Sequence, residues 1–343
     1  MKKNLVLLVV LIAIGIVAWF LYQNSGSKTL ANQPLAEFAI EDTSKVDKII
    51  IQDQTGQTAK LQRIPGNRLW RLNDKYFARE DAVNLLLKTF NRIRIRGNVS
   101  DATRDNMMKM MVAGGKKVQI FTGGDEPAKI YYIGVPTPDH TGTHMLLEIP
   151  GIGRSNEPYI THIEGFTGFL STRFFTTESE WRYTGVFEYP SLDFRQVNIQ
   201  NHIYPQESFV VSYNGGNDIR MYDGLDLAKP IAQFDTVAIK NFLIQFKKMH
   251  IESFATNLPQ HSIDSILRSN PAFTVSVIDN KGSINKVDLY RKSTSTPFLD
   301  EKGNIVPYDQ GYLWAKTIDG DLALAQTYTF DPVIQPKSFY IRK

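Results

Sequence analysis

Residues Leu5–Tyr22 (LVLLVVLIAIGIVAWFLY) form an 18-residue run without a charge. Coiled as a helix rising ~1.5 Å per residue, it would reach about 27 Å, close to the ~30 Å hydrocarbon core of a bilayer. Lys2 and Lys3 precede the run, and Trp19 and Tyr22 lie at its far end, where amphipathic rings favour the headgroup region. A cleaved signal peptide is the competing reading, but such peptides carry apolar stretches of roughly 7–15 residues before a small-x-small site. Here the run ends in Phe20-Leu21-Tyr22-Gln23-Asn24, and only Ser25-Gly26-Ser27 offers a cleavage context. The expectation is an uncleaved single-pass helix in a bacterial cytoplasmic membrane, N-terminus inside and the bulk of the chain periplasmic. Residues 23–36 are polar, contain Gly26 and Pro34, and read as a linker.

The chain has 343 residues, enough for about two domains, and no cysteine. Disulfide frameworks, thiolate metal sites, cysteine nucleophiles and a lipoprotein signal are thereby excluded. Its 39 basic and 35 acidic residues are interleaved, so the charge balance gives no ground for a nucleic-acid partner.

Beyond the linker, one order of elements recurs. In the first half, strands at Val46–Ile51, Ala59–Ile64 and Leu69–Leu72 lead to a helix over about Ala82–Arg92, with Val83, Leu86, Leu87 and Phe90 at helical spacing. A short methionine-rich helix (Met107, Met108, Met110, Met111) follows, then strands at Lys117–Phe121 and Lys129–Ile133. In the second half, strands at Gln196–Ile199, Ser208–Tyr213 and Asp218–Tyr222 lead to a helix over about Thr236–Lys248. A short helix carrying Ile263, Ile266 and Leu267 and strands at Phe273–Ile278 and Lys286–Tyr290 complete it. Phe90 corresponds to Phe246, Ile95 to Ile251 and Val118 to Val275, and Asp81 and Asp235 stand near the helix starts, where a carboxylate suits free amides. The predicted fold class is α+β: an N-terminal transmembrane helix, then two related α+β domains from an internal duplication, each a mixed or antiparallel sheet covered by helices. The predicted divisions are 1–22 anchor, 23–36 linker, 37–190 first domain and 191–343 second domain.

Residues 158–194 are rich in large rings (Tyr159, Phe166, Phe169, Phe174, Phe175, Trp181, Tyr183, Phe187, Tyr189) and read as packing between the domains, with a docking patch as the alternative. The methionine cluster reads as core, with a pliable contact surface as its alternative.

Chemistry-bearing motifs are sparse. His140 and His144 are four residues apart with Asp139 beside them, a possible zinc trio, but Pro136, Pro138 and Gly142 make the stretch a loop, and the glutamate of a zinc hydrolase is missing. Gly123-Gly124-Asp125-Glu126 resembles the loop of cyclic-dinucleotide synthases but reads as a hairpin turn. Gly151-Ile152-Gly153-Arg154 lacks the third glycine and following helix of a phosphate loop. Glu178 and Glu180 read as solvated carboxylates on a strand or loop. No catalytic, cofactor-binding or metal-binding residue is assigned, and no cofactor is expected.

Several short motifs do carry a resemblance: Trp70-Arg71-Leu72 before a helix, Tyr132-Ile133-Gly134-Val135-Pro136-Thr137, Gly142-Thr143-His144-Met145-Leu146-Leu147-Glu148, and Arg173-Phe174-Phe175 with Trp181-Arg182. With the N-terminal apolar run, they resemble an uncharacterised bacterial membrane-anchored family, the domain of unknown function numbered four-three-four-zero, in its Bacteroidota style, over roughly residues 40–300. The resemblance implies genes beside gliding-motility-type ABC transporter subunits, and it implies no catalytic residues. The expected function is therefore a non-enzymatic, membrane-anchored periplasmic auxiliary or scaffold protein of an ABC-type transporter or envelope complex, with a membrane protein as partner. An envelope glycan- or peptide-binding module is the alternative, and a hydrolase using carboxylates or His140/His144 the third.

Overall fold

The computed structural model describes residues 34–300 and 302–342. Two compact units divide the chain, Met1–Tyr183 and Thr184–Lys343.

The first unit runs β1 (Lys48–Gln52), β2 (Thr58–Gln62), β3 (Arg71–Leu72), β4 (Tyr76–Phe77), α1 (Glu80–Arg92), β5 (Ile93–Asn98), α2 (Asp101–Gly114), β6 (Lys116–Phe121), β7 (Lys129–Pro136), β8 (Thr143–Ile149), β9 (Gly153–Arg154), β10 (Tyr159–Ile163) and the single-turn α3 (Glu178–Trp181). Its ten-stranded sheet has the order β4-β3-β2-β1-β6-β7-β8-β10-β5, with β9 beside β8.

The second unit runs β11 (Gly185–Phe187), β12 (Phe194–Asn201), β13 (Phe209–Tyr213), β14 (Ile219–Asp223), α4 (Thr236–Gln245), β15 (Met249–His250), β16 (Ser253–Phe254), α5 (Gln260–Arg268), β17 (Phe273–Asp279), β18 (Ile284–Leu299), β19 (Ile305–Lys316), β20 (Leu322–Gln326) and the short α6 (Thr327–Phe330) and α7 (Lys337–Tyr340). Its eight-stranded sheet has the order β14-β13-β12-β17-β18-β19-β20-β16, and β11 pairs with β15. From β3 to β5 and from β14 to β16 the two sheets trace the same path, with a long helix inserted at the same place in each.

This architecture corrects the predicted class. The chain is mostly β-sheet, 38% strand in three sheets, and every strand pairing among the described residues is antiparallel. Helices do not cover the sheets evenly. α1 buries Val83, Leu86 and Phe90, and α4 buries Ile239, Phe242 and Leu243, whereas α2 buries Met111 alone and α5 nothing. The α+β expectation came from giving two helical periodicities the weight of layers while missing strand. β19 and β20 carry no strong alternation of their own, and the outer part of β18 (Arg291–Thr296) is a polar stretch that period-2 patterning cannot detect. The predicted membrane-spanning helix over Leu5–Tyr22 lies outside the described residues. Within them no helix is long and apolar enough to cross a membrane, so that part of the expectation has no structural support.

Four hairpins turn on one local device. Asp53, Asp279 and Asp300 each open a five-residue turn whose fourth residue is Gly56, Gly282 or Gly303 at φ 86°, 91° or 80°. Each aspartate accepts from the backbone N–H groups two and four residues on, at 2.8–3.1 Å. Thr317 and Gly320 repeat the backbone pattern. The positive φ costs glycine little and any residue with a Cβ more.

The rings of the stretch 158–194 divide between the two cores or lie outside them, as Phe166 does at 39% exposed. Tyr159, Leu170, Phe174 and Trp181 belong to the core of the first unit, and Phe187 and Phe194 to that of the second. Trp181 Nε1 donates to the Phe175 carbonyl at 3.0 Å, so the largest buried ring has its polar atom satisfied.

Candidate functional site

The histidine pair lies in the β7–β8 hairpin. His144, on β8, is buried and its Nδ1 is 2.9 Å from the Val135 carbonyl oxygen. His140 sits in the turn at φ 54°, its ring 5.8 Å from that of Phe169. Asp139, the third candidate ligand, accepts from the Thr137 and Thr141 hydroxyls at 2.5 and 2.6 Å and from Arg96 at 3.3 Å. Those hydrogen bonds hold its carboxyl far below the usual carboxylate range. Its lone pairs close the loop, and among the described residues no group of three or more His, Asp or Glu could hold a metal ion.

The remaining sequence motifs also resolve into local structure. Gly123 takes φ 94° in the β6–β7 turn and donates its N–H to Asp47 at 3.0 Å. Gly151 is a turn residue at φ 81° between β8 and β9, and Gly153 opens β9 at φ 119°. Glu178, expected on a strand or loop, opens α3 and accepts from Asn73 Nδ2 at 2.9 Å. The methionine helix differs from the core expectation: only Met111 is buried, and Met110 is 44% exposed. The resemblance motifs fall largely on β7, β8 and the segment around α3. There the Thr143 hydroxyl accepts from the Leu170 N–H at 2.6 Å, and the Arg182 guanidinium stacks 3.8 Å over the Tyr76 ring.

Two features that sequence reasoning missed are better candidates, and both belong to the second unit. The first is an arm. β18 pairs with β17 only through Leu289, and β19 pairs with β20 only from Tyr312 onward. Between these points and the Asp300 turn the two strands pair with each other alone. The tip is apolar: Leu299 and Ile305 face each other across the ribbon, 65% and 69% exposed, beside the pair Phe298 and Val306. Lys292 binds Asp309 at 2.6 Å and Arg291 lies over the Tyr308 ring, bracing the arm's base.

The second is a cavity of about 390 Å³ between α4 and the C-terminal segment. Ala238, Asn241, Phe242 and Gln245 line it as one helical stripe, spaced i, i+3, i+4 and i+7. Asp331, Pro332, Gln335, Phe339 and Tyr340 form the opposite wall. The Tyr340 hydroxyl donates to the Pro332 carbonyl at 3.1 Å, and its ring packs on Phe209 and Phe242, which fixes that wall to the core. Gln245 and Gln335 each donate once to a local backbone carbonyl, at 3.1 and 3.0 Å. Burial pushes the Asp331 carboxyl up. No sequence signal marked the cavity: Asn241 is exposed and Gln245 half-buried, ordinary amides at the margin of the apolar face of α4.

The fold thus defines a chain of two successive antiparallel-sheet units, the second bearing an arm and a cavity. Compared with known families and with curated proteins, the chain matches no family model and no curated protein.

Proposed function

We propose that this protein is a non-enzymatic, extracytoplasmic auxiliary or scaffold component of a membrane complex in the bacterial envelope, acting through contacts. The β18–β19 arm carries this reading. A two-stranded ribbon without a covering layer is marginal in water, and exposed apolar side chains grouped at its end favour association. Pro297 and Pro307 remove N–H donors from the ribbon. Recognition then falls to the tip side chains rather than to strand addition. Placement at the cytoplasmic membrane is supported by the uncharged run Leu5–Tyr22 behind Lys2 and Lys3, acting as a targeting segment. The motifs that resemble the uncharacterised family support ABC-type transporter subunits as the partner class. A peptide- or glycan-binding module is the second reading, favoured by the cavity beside α4. The hydrolase reading is not carried forward, because Asp139 and His144 are engaged in closing their own hairpin.

A photo-crosslinking residue at Leu299 or Ile305 in cells should capture integral membrane proteins, ABC-type subunits among them, whereas one at exposed Leu85 of α1 should not. Equal capture at all three positions would sink the reading.

A further inference from the structure

The cavity beside α4 has an uneven set of polar groups. Its one charge is the Asp331 carboxylate, which has no hydrogen-bond or ion-pair partner among the described residues. Lys337, a cation of the C-terminal segment, is engaged elsewhere, binding Asp223 at 2.6 Å. Three amides, Asn241, Gln245 and Gln335, share the lining, and the Asn241 side chain makes no hydrogen bond within the described structure. The rest is aromatic and apolar, with Phe339 standing at the rim 60% exposed, edge-on to Tyr340 at 5.1 Å.

We infer that this cavity binds a basic side chain of a peptide segment, arginine in preference to lysine. A carboxylate lacking a cation at the wall of a cavity attracts one, and the apolar side chains around it exclude part of the water that would screen the pair. A planar guanidinium matches a carboxylate with two parallel hydrogen bonds and also stacks on an aromatic face, which an ammonium cannot do equally well. Phe339 supplies that face and a surface for the aliphatic stem. The amides present paired donor and acceptor groups of the kind that read peptide N–H and C=O groups. About 390 Å³ lies within the range of small-ligand sites and suits one long side chain with its adjoining backbone. The inference uses the second unit alone and does not depend on the arm or on a transporter partner.

Calorimetric titration of the purified full-length chain tests it with three probes: the blocked peptide Ac-Gly-Gly-Arg-Gly-Gly-NH2, the same peptide with neutral citrulline in place of arginine, and triacetylchitotriose. The arginine peptide should bind at least tenfold more tightly than the citrulline peptide. Asp331→Asn should abolish that difference, and Phe339→Ala should weaken the arginine peptide several-fold. Asp264→Asn, on α5, should bind as the parent does. Asp331 and Phe339 are exposed, so both variants should melt with the parent protein, which separates lost binding from lost folding. Equal binding of the arginine and citrulline peptides, undiminished binding by Asp331→Asn, preference for the trisaccharide, or no arginine-peptide binding up to millimolar concentration would each overturn the inference. None of these outcomes alters what a crosslinker at Leu299 captures, so the two readings fail independently.

Discussion

Gly134 lies on β7 where an added Cβ would meet Met111 Cγ at 2.6 Å and the His144 carbonyl oxygen at 2.9 Å. The missing side chain lets α2 dock its only buried residue on the sheet. Gly134→Ala should cost about 1–3 kcal/mol through overpacking. Combining it with Met111→Ala should recover part of that loss, since one of the two clashes is gone; chemical denaturation of the four proteins gives the coupling. The turn-forming carboxylates make a second residue-scale prediction. Asp53, Asp139, Asp235 and Asp300 are all held below their ordinary 3.8 by hydrogen bonds to the charged form. Such groups add stability that is present above pH ~4 and is lost as pH falls through the lowered folded-state values. Melting temperature should therefore be nearly flat from neutrality to about pH 5 and fall steeply below pH 4. An Asp300→Asn variant should show a shallower acid limb, and a limb of unchanged steepness would remove this turn from the account.

At the scale of elements, α1 and α4 occupy equivalent places but begin differently. Asp235 is a true N-cap, accepting from the N–H groups of Val237 and Ala238 at 2.8 and 3.0 Å. Asp81 is the second residue of α1, after the N-cap Arg79, whose side chain it binds at 2.6 Å. The sequence analogy between the two aspartates was therefore positional only. Asp235→Ala should lower the urea midpoint clearly and Asp81→Ala by less than half as much. The two helices themselves were legible because each presents a stripe of large apolar residues at 3.6-residue spacing. β19, the outer half of β18 and the cavity were not. A ribbon solvated on both sides leaves no alternation in its sequence, and the cavity joins α4 to residues about ninety positions further along the chain. Removing the arm by joining Lys292 to Asp309 through a two-residue turn should leave the melting of the second unit within a few degrees of the parent while abolishing the tip crosslinks.

The two hydrophobic cores share no residue: one gathers Leu86, Phe90 and Trp181, the other Phe209, Phe242 and Tyr340. A charge introduced at Leu86 or Phe242, both buried, should cost several kcal/mol, a large fraction of a domain's stability. Hydrogen exchange localises the damage. Leu86→Asp should strip protection from the unit ending at Tyr183 while β12, β17 and β18 stay protected, and Phe242→Asp should do the reverse. Loss of protection across both units from either change would show that they fold as one.

The sequence by itself determined the absence of cysteine chemistry, the uncharged run near the N-terminus, the turns at glycine and the two amphipathic helices. Each is a local property, set by the chemistry of residues close together in the chain. Tertiary structure decided the rest. It paired the described strands antiparallel, divided Tyr159, Phe174, Trp181, Phe187 and Phe194 between two cores, closed Asp139 and His144 into a hairpin, and brought Asp331 and Phe339 opposite Asn241 and Gln245. Those outcomes depend on contacts between residues distant in sequence. Such contacts form only when burying apolar surface outweighs the entropy of closing the loops between them, and no local pattern records which partners will meet.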